Sequence, residues 1–200
     1  MVEAAVFRLY SDCEGTPARP TAEDMSDAAL LGRDTGAERL KHRRLLRALA
    51  AEVLDVHPDL VTFERATTGA VRVTGPSLLF ASVSSCGRWT ALAVARHPVG
   101  VDVEIHPPER EPPFDLLQPL EQEAILADPQ PRHLFIRFWT AREAYLKAEG
   151  RGFDVMPDKV RAARRDSEVA LIEEGRPIVF ARIVEREDAI AAIVELPPEG

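Results

Sequence analysis

The rhythm of apolar residues changes several times along the chain. Residues 4–10 read as a first strand, and residues 11–35 are polar and turn-rich apart from a short apolar piece at Ala28, Ala29, Leu30 and Leu31. Leu40, Leu46, Leu49, Ala50, Val53 and Leu54 then recur at helical spacing. That predicts an amphipathic helix over 36–56, stopped by Pro58. Residues 60–65 alternate and read as a strand, Thr67-Thr68-Gly69 is a turn, and 71–80 hold short extended pieces broken at Gly75-Pro76. Two strands follow over 89–95 and 99–105, around a turn at Arg96-His97-Pro98.

A proline-rich stretch over 106–113 is the best boundary between halves. Beyond it the pattern predicts helices over 117–127 and 132–149, the second stopped by Gly150, Arg151 and Gly152. Residues 169–172, 177–184 and 189–196 read as three antiparallel strands. The order suggests an α+β protein of two halves, residues 1–105 and 106–200. No clear internal sequence repeat joins the two.

Composition narrows the function. The 200 residues are 46% hydrophobic and 29% charged, ordinary for a globular chain with a real core. A net charge of -8 and a pI near 5.2 argue against a bulk nucleic-acid binder. An anionic ligand then needs a local basic patch or a metal ion. Cys13 and Cys86 make neither a metal spacing nor a disulfide framework, as expected of free thiols in a reducing compartment. The first residues do not read as a signal peptide, and no apolar run is long enough to span a membrane, so a cytoplasmic location is expected.

Three passages carry chemistry. In Gly100-Val101-Asp102-Val103-Glu104-Ile105, residues two apart share a strand face, so Asp102 and Glu104 sit side by side. Two adjacent carboxylates suit a hard divalent cation such as Mg²⁺; a solvated edge is the plainer reading. Glu143 and Lys147 lie four apart on one helix face, which also describes an ordinary surface pair. Arg39, Arg43 and Arg47, again spaced by four, form a basic stripe in an acidic chain. It suits a phosphate-rich ligand, or else a solvated helix face.

Together these passages resemble the 4'-phosphopantetheinyl transferases, specifically the surfactin-type, single-chain class. Its Gly-Val/Ile-Asp-Val/Ile-Glu strand is matched by Gly100 to Glu104. Its Trp-Thr/Ser-x-Lys/Arg-Glu-Ala-x-x-Lys-x-x-Gly-x-Gly helix is matched at each fixed position from Trp139 to Gly152. The resemblance implies two similar α+β halves related by a pseudo-twofold axis, with the active site in the cleft between them. It implies an enzyme that moves the phosphopantetheine arm of coenzyme A to a serine of an acyl or peptidyl carrier protein and releases 3',5'-ADP. Asp102, Glu104 and Glu143 are then expected to hold Mg²⁺, with Glu143 also the candidate base and Lys147 a phosphate contact. A monomer suffices, since both walls of the cleft come from one chain. The carrier is expected to dock near residues 114–125, and Glu121 falls near the family's Phe-x-x-x-Glu, with Leu117 in the Phe position.

Two departures fall in the nucleotide grip. Many relatives carry Ser-His-Ser or Ser-His-Cys shortly before the acidic strand; here the stretch is Ser84-Ser85-Cys86, with Ser85 in the His position. The cation of a Gly-Lys/Arg-Pro element is replaced by Ala70, with Arg72 nearby. Ser84, Ser85, Arg39, Arg43, Arg47 and Lys147 are therefore the expected coenzyme A contacts, with Arg88 a further compensating cation. These losses also leave open a non-catalytic coenzyme A or carrier-binding protein, although the full set of Asp102, Glu104, Glu143 and Lys147 argues for turnover.

Overall fold

The computed structural model describes residues 5–12, 19–29, 33–66, 70–106, 114–151 and 159–197. Strand β1 (Val6–Ser11) leads into helices α1 (Ala22–Ala29) and α2 (Arg33–Leu54), followed by β2 (Phe63–Arg65), β3 (Val71–Val73), β4 (Leu79–Cys86) and β5 (Trp89–Ala95). Then come β6 (Val99–Ile105), α3 (Pro119–Leu126), α4 (Pro131–Ala148), β7 (Val160–Arg165), β8 (Glu168–Glu173), β9 (Val179–Arg186) and β10 (Ala189–Glu195). The described strands form two five-stranded antiparallel sheets, ordered β1-β5-β4-β3-β2 and β6-β10-β9-β8-β7. The connectivity is the same in both: a strand, a pair of helices, four strands, with the first strand paired to the last.

The packing is helix, sheet, sheet, helix, and period-two alternation explains it. Leu92 and Val94 of β5 turn toward α2, where they join Leu45, Leu46 and Leu49. Trp89, Ala91, Ala93 and Ala95 turn the other way, onto Val101 and Val103 of β6 and Ala189, Ala191 and Ile193 of β10. Small residues dominate this inner layer, so the two sheets approach closely. On the far side, Ile190, Ala192 and Val194 of β10 meet Phe138, Ala141, Ala144 and Tyr145 of α4. With both faces covered, β5 is buried at every position. No described helix is long and apolar enough to cross a membrane.

Sheet membership differs from the simplest sequence expectation. Consecutive strands with a short connection usually pair. Instead β6 leaves the first sheet after Arg96–Pro98 and pairs with β10, Val99 opposite Glu195. The change of sheet thus precedes the proline-rich stretch used to divide the halves. A lateral contact keeps β6 beside β4: the Val101 N–H donates to Ser82 Oγ at 3.0 Å. Three elements were not anticipated. Helix α1 is largely polar, β7 reads Val-Arg-Ala-Ala-Arg-Arg, and β4 runs on through the serine-rich stretch to Cys86.

Candidate active site

The site lies where β4, β6 and α4 meet, and one glycine sets its depth. A Cβ on Gly100 would collide with the Ala144 carbonyl and stand 2.5 Å from the Ala148 nitrogen. Strand β6 therefore rests directly on the α4 backbone. That contact brings Asp102 and Glu104 within electrostatic reach of Glu143 and Lys147. Across the seam, Ser82, Ser84 and Cys86 share the β4 face that looks at β6.

Asp102 is the hub. Its Oδ1 accepts from Lys147 Nζ at 2.6 Å and from Ser84 Oγ at 2.7 Å, and Lys147 Nζ also reaches Ser84 Oγ at 3.0 Å. Its Oδ2 is buried and lacks a partner among the described residues. Glu104 accepts from the Cys86 thiol at 3.4 Å. Burial, then repulsion from Asp102, holds the carboxyls of both Glu104 and Glu143 above their ordinary range. Burial, then the charge of its hydrogen-bond partner Glu104, pushes the Cys86 thiol up to about 11, leaving it protonated and a poor nucleophile.

This donor set suits a hard divalent cation: oxygen ligands, excess negative charge and one buried carboxylate oxygen without a partner among the described residues. Among the described residues, however, no three acidic, His or Cys side chains are already gathered as a metal shell. The Lys147 ammonium occupies Asp102 instead.

On the opposite face of β4, Ser85 meets a histidine from the basic segment of α2. His42 Nε2, from α2, lies 2.6 Å from Ser85 Oγ, and Ser85 Oγ lies 3.1 Å from Thr90 Oγ1. Burial lowers the His42 pKa. Glu38 approaches the same Nε2 at 3.8 Å rather than Nδ1, so the three side chains do not form a nucleophile, base and orienter. A separation of 43 positions between His42 and Ser85 left no local signal of this pair.

The basic stripe on α2 is corrected. Arg47 is 1% exposed and spends its guanidinium inside the fold, on Asp24 at 2.7 Å, on Thr21 Oγ1 and on the Val61 carbonyl. Arg43 is also buried, stacked with Arg47 over the Phe63 ring. Spacing by four put the arginines on one face, but that face packs against β2 and α1 rather than facing solvent. Arg39 remains half-exposed one turn earlier. Arg88 is engaged with Glu187 and Asp188, and Arg72 is exposed over the Phe80 ring.

Glu121 is likewise structural. It is 1% exposed, paired with fully buried Arg142, and accepts the Ala162 N–H at 2.7 Å and the Gln118 N–H at 2.8 Å. Arg142 also donates to the Val160 carbonyl at 2.8 Å, so the motif's basic residue ties α4 to α3 and β7. Gly152 and Cys13 lie outside the described residues.

Residues 98–194 match the family model of the 4'-phosphopantetheinyl transferase superfamily. That stretch holds β6, both helices of the second half and Asp102, Glu104, Glu143 and Lys147, while Ser84, Ser85 and His42 lie outside it. The chain is 23% identical over 152 residues to the 4'-phosphopantetheinyl transferase of Bacillus subtilis, covering 72% of this chain and 66% of that protein. It is 26% identical over 160 residues to the 4'-phosphopantetheinyl transferase HetI of Nostoc sp. (strain PCC 7120 / SAG 25.82 / UTEX 2576), covering 76% and 67%. The aligned part thus spans about two thirds of each relative.

Proposed function

We propose that this protein transfers the 4'-phosphopantetheine arm of coenzyme A to a serine of an apo acyl or peptidyl carrier protein, with Mg²⁺, releasing 3',5'-ADP. The observation that carries this reading is the union, at one seam, of Asp102, Glu104, Glu143 and Lys147 inside the stretch that resembles the transferase superfamily. The shared strand order of the two sheets supports two similar halves related by a pseudo-twofold axis. We read the protein as a cytoplasmic monomer of the surfactin-type class.

In this reading Asp102, Glu104 and Glu143 hold Mg²⁺, which when bound neutralises charge on the pyrophosphate. Glu143 takes the proton of the attacking serine hydroxyl, a role its raised pKa suits, since a base works best near the operating pH. Lys147, one turn along α4, holds phosphate as a mobile point charge. Ser84, Ser85 and half-exposed Arg39 remain the coenzyme A contacts, while buried Arg43 and Arg47 leave that list. The carrier docks near residues 114–125, where Leu120 is 63% exposed.

Intact mass of apo carrier proteins after incubation with the protein, coenzyme A and Mg²⁺ tests this. The expected result is a gain of one phosphopantetheine arm on at least one carrier, absent with Glu143→Ala. Coenzyme A binding without any gain across a broad carrier panel would favour a binding protein instead.

A further inference from the structure

Three carboxylates, Asp102, Glu104 and Glu143, face one ammonium at the seam. That ammonium sits on one Asp102 oxygen at 2.6 Å, while the other Asp102 oxygen is buried without a partner among the described residues. The acidic side chains are not gathered as a metal shell in this arrangement. A divalent cation on Asp102 would face the Lys147 ammonium across a few ångströms, and the two positive charges repel. Lys147 is free to yield: its side chain is 29% exposed and carries its charge on a flexible four-carbon stem, while the Asp102 side chain is only 7% exposed.

We infer that Lys147 is a resident counter-ion that holds Asp102 before the metal arrives and is displaced from it by the entering divalent cation. The freed ammonium, with the Ser84 hydroxyl it also holds, then turns to the open side of the site, where a phosphate can take it. Metal entry and phosphate capture are thereby coupled through one side chain. This presupposes that Asp102, Glu104 and Glu143 hold the cation in the transfer reaction proposed above.

Manganese binding in the absence of coenzyme A, followed by electron paramagnetic resonance, separates this from a simple brace. A resident counter-ion competes, so Lys147→Gln is expected to bind manganese about tenfold tighter than the wild type, as removal of one nearby positive charge predicts. If Lys147 only props Asp102 in place, the variant binds manganese equally or more weakly, which overturns the inference. The wild type gives a second reading that does not depend on the variant folding. Saturating manganese is expected to raise the rate at which an acetylating reagent modifies Lys147, read by peptide mass; an unchanged or slower rate overturns the inference. A folded wild type that takes up no manganese would overturn the metal role itself. Manganese uptake that ignores Lys147 would leave that role standing and remove only the counter-ion.

Discussion

Gly100 fixes the distance between the acidic strand and the helix that completes the site. Its missing side chain lets β6 lie on the α4 backbone, where a Cβ would meet Ala144 and Ala148. Neither neighbour can yield, because the Ala144 oxygen and the Ala148 nitrogen belong to a helix backbone. Gly100→Ala is therefore expected to lose about 1–3 kcal/mol in urea unfolding, the usual cost of forcing atoms into a packed core. Carrier modification well below the melting temperature should fall as well, because Asp102 and Glu104 move relative to Glu143 and Lys147. Asp102, Glu104, Glu143 and Lys147 were legible in the sequence, since each pair obeys a local period of two or four residues. His42 was not, because its contact with Ser85 is made by tertiary packing.

Helices α1 and α2 are joined by a buried ion pair. Asp24 and Arg47 are each 1% exposed and 2.7 Å apart. Burial alone would raise the Asp24 carboxyl, but the Arg47 hydrogen bond, the Thr21 backbone donor and the Arg47 charge outweigh it, so its pKa lies below the ordinary 3.8. A carboxylate depressed on folding stabilises the native state above its unfolded value and loses that contribution as pH falls through its folded value. Asp24→Asn is expected to cost about 3–5 kcal/mol at pH 7, because Arg47 is left buried with its charge uncompensated. The gap should narrow in urea titrations carried to progressively lower pH. A gap independent of pH would mean that packing rather than charge holds the pair. Periodicity revealed that Arg43 and Arg47 share a face, but not what that face packs against, and so mistook a clasp for a ligand site. The same limit hid α1 and β7, whose polar and charged residues are mostly exposed and whose buried residues, Asp24, Val160 and Ala162, are too few to show a period.

The whole molecule depends on two sheets meeting through small side chains. Ala91, Ala93, Ala95, Ala189 and Ala191 are at most 1% exposed in that layer. Ala93→Leu is expected to cost about 1–3 kcal/mol by overpacking. Because β4 and β6 face each other across the same seam, the variant should also bind manganese more weakly than its loss of stability alone explains. Alternation along the chain foretold most strands and the α+β class. It could not assign β6 to the second sheet, because strand membership depends on partners far along the chain. The shared strand order adds a kinetic consequence. Val6 waits for Val94, and Val99 waits for Glu195, before β1 or β6, the first strand of each sheet, is secured. Such nonlocal pairings fold on the slow side, on the order of milliseconds to seconds. During synthesis the first sheet can close once β5 has emerged, whereas the second must wait for β10. The seam takes β4 from the early sheet and β6 from the late one, so the site is assembled at the end of vectorial folding.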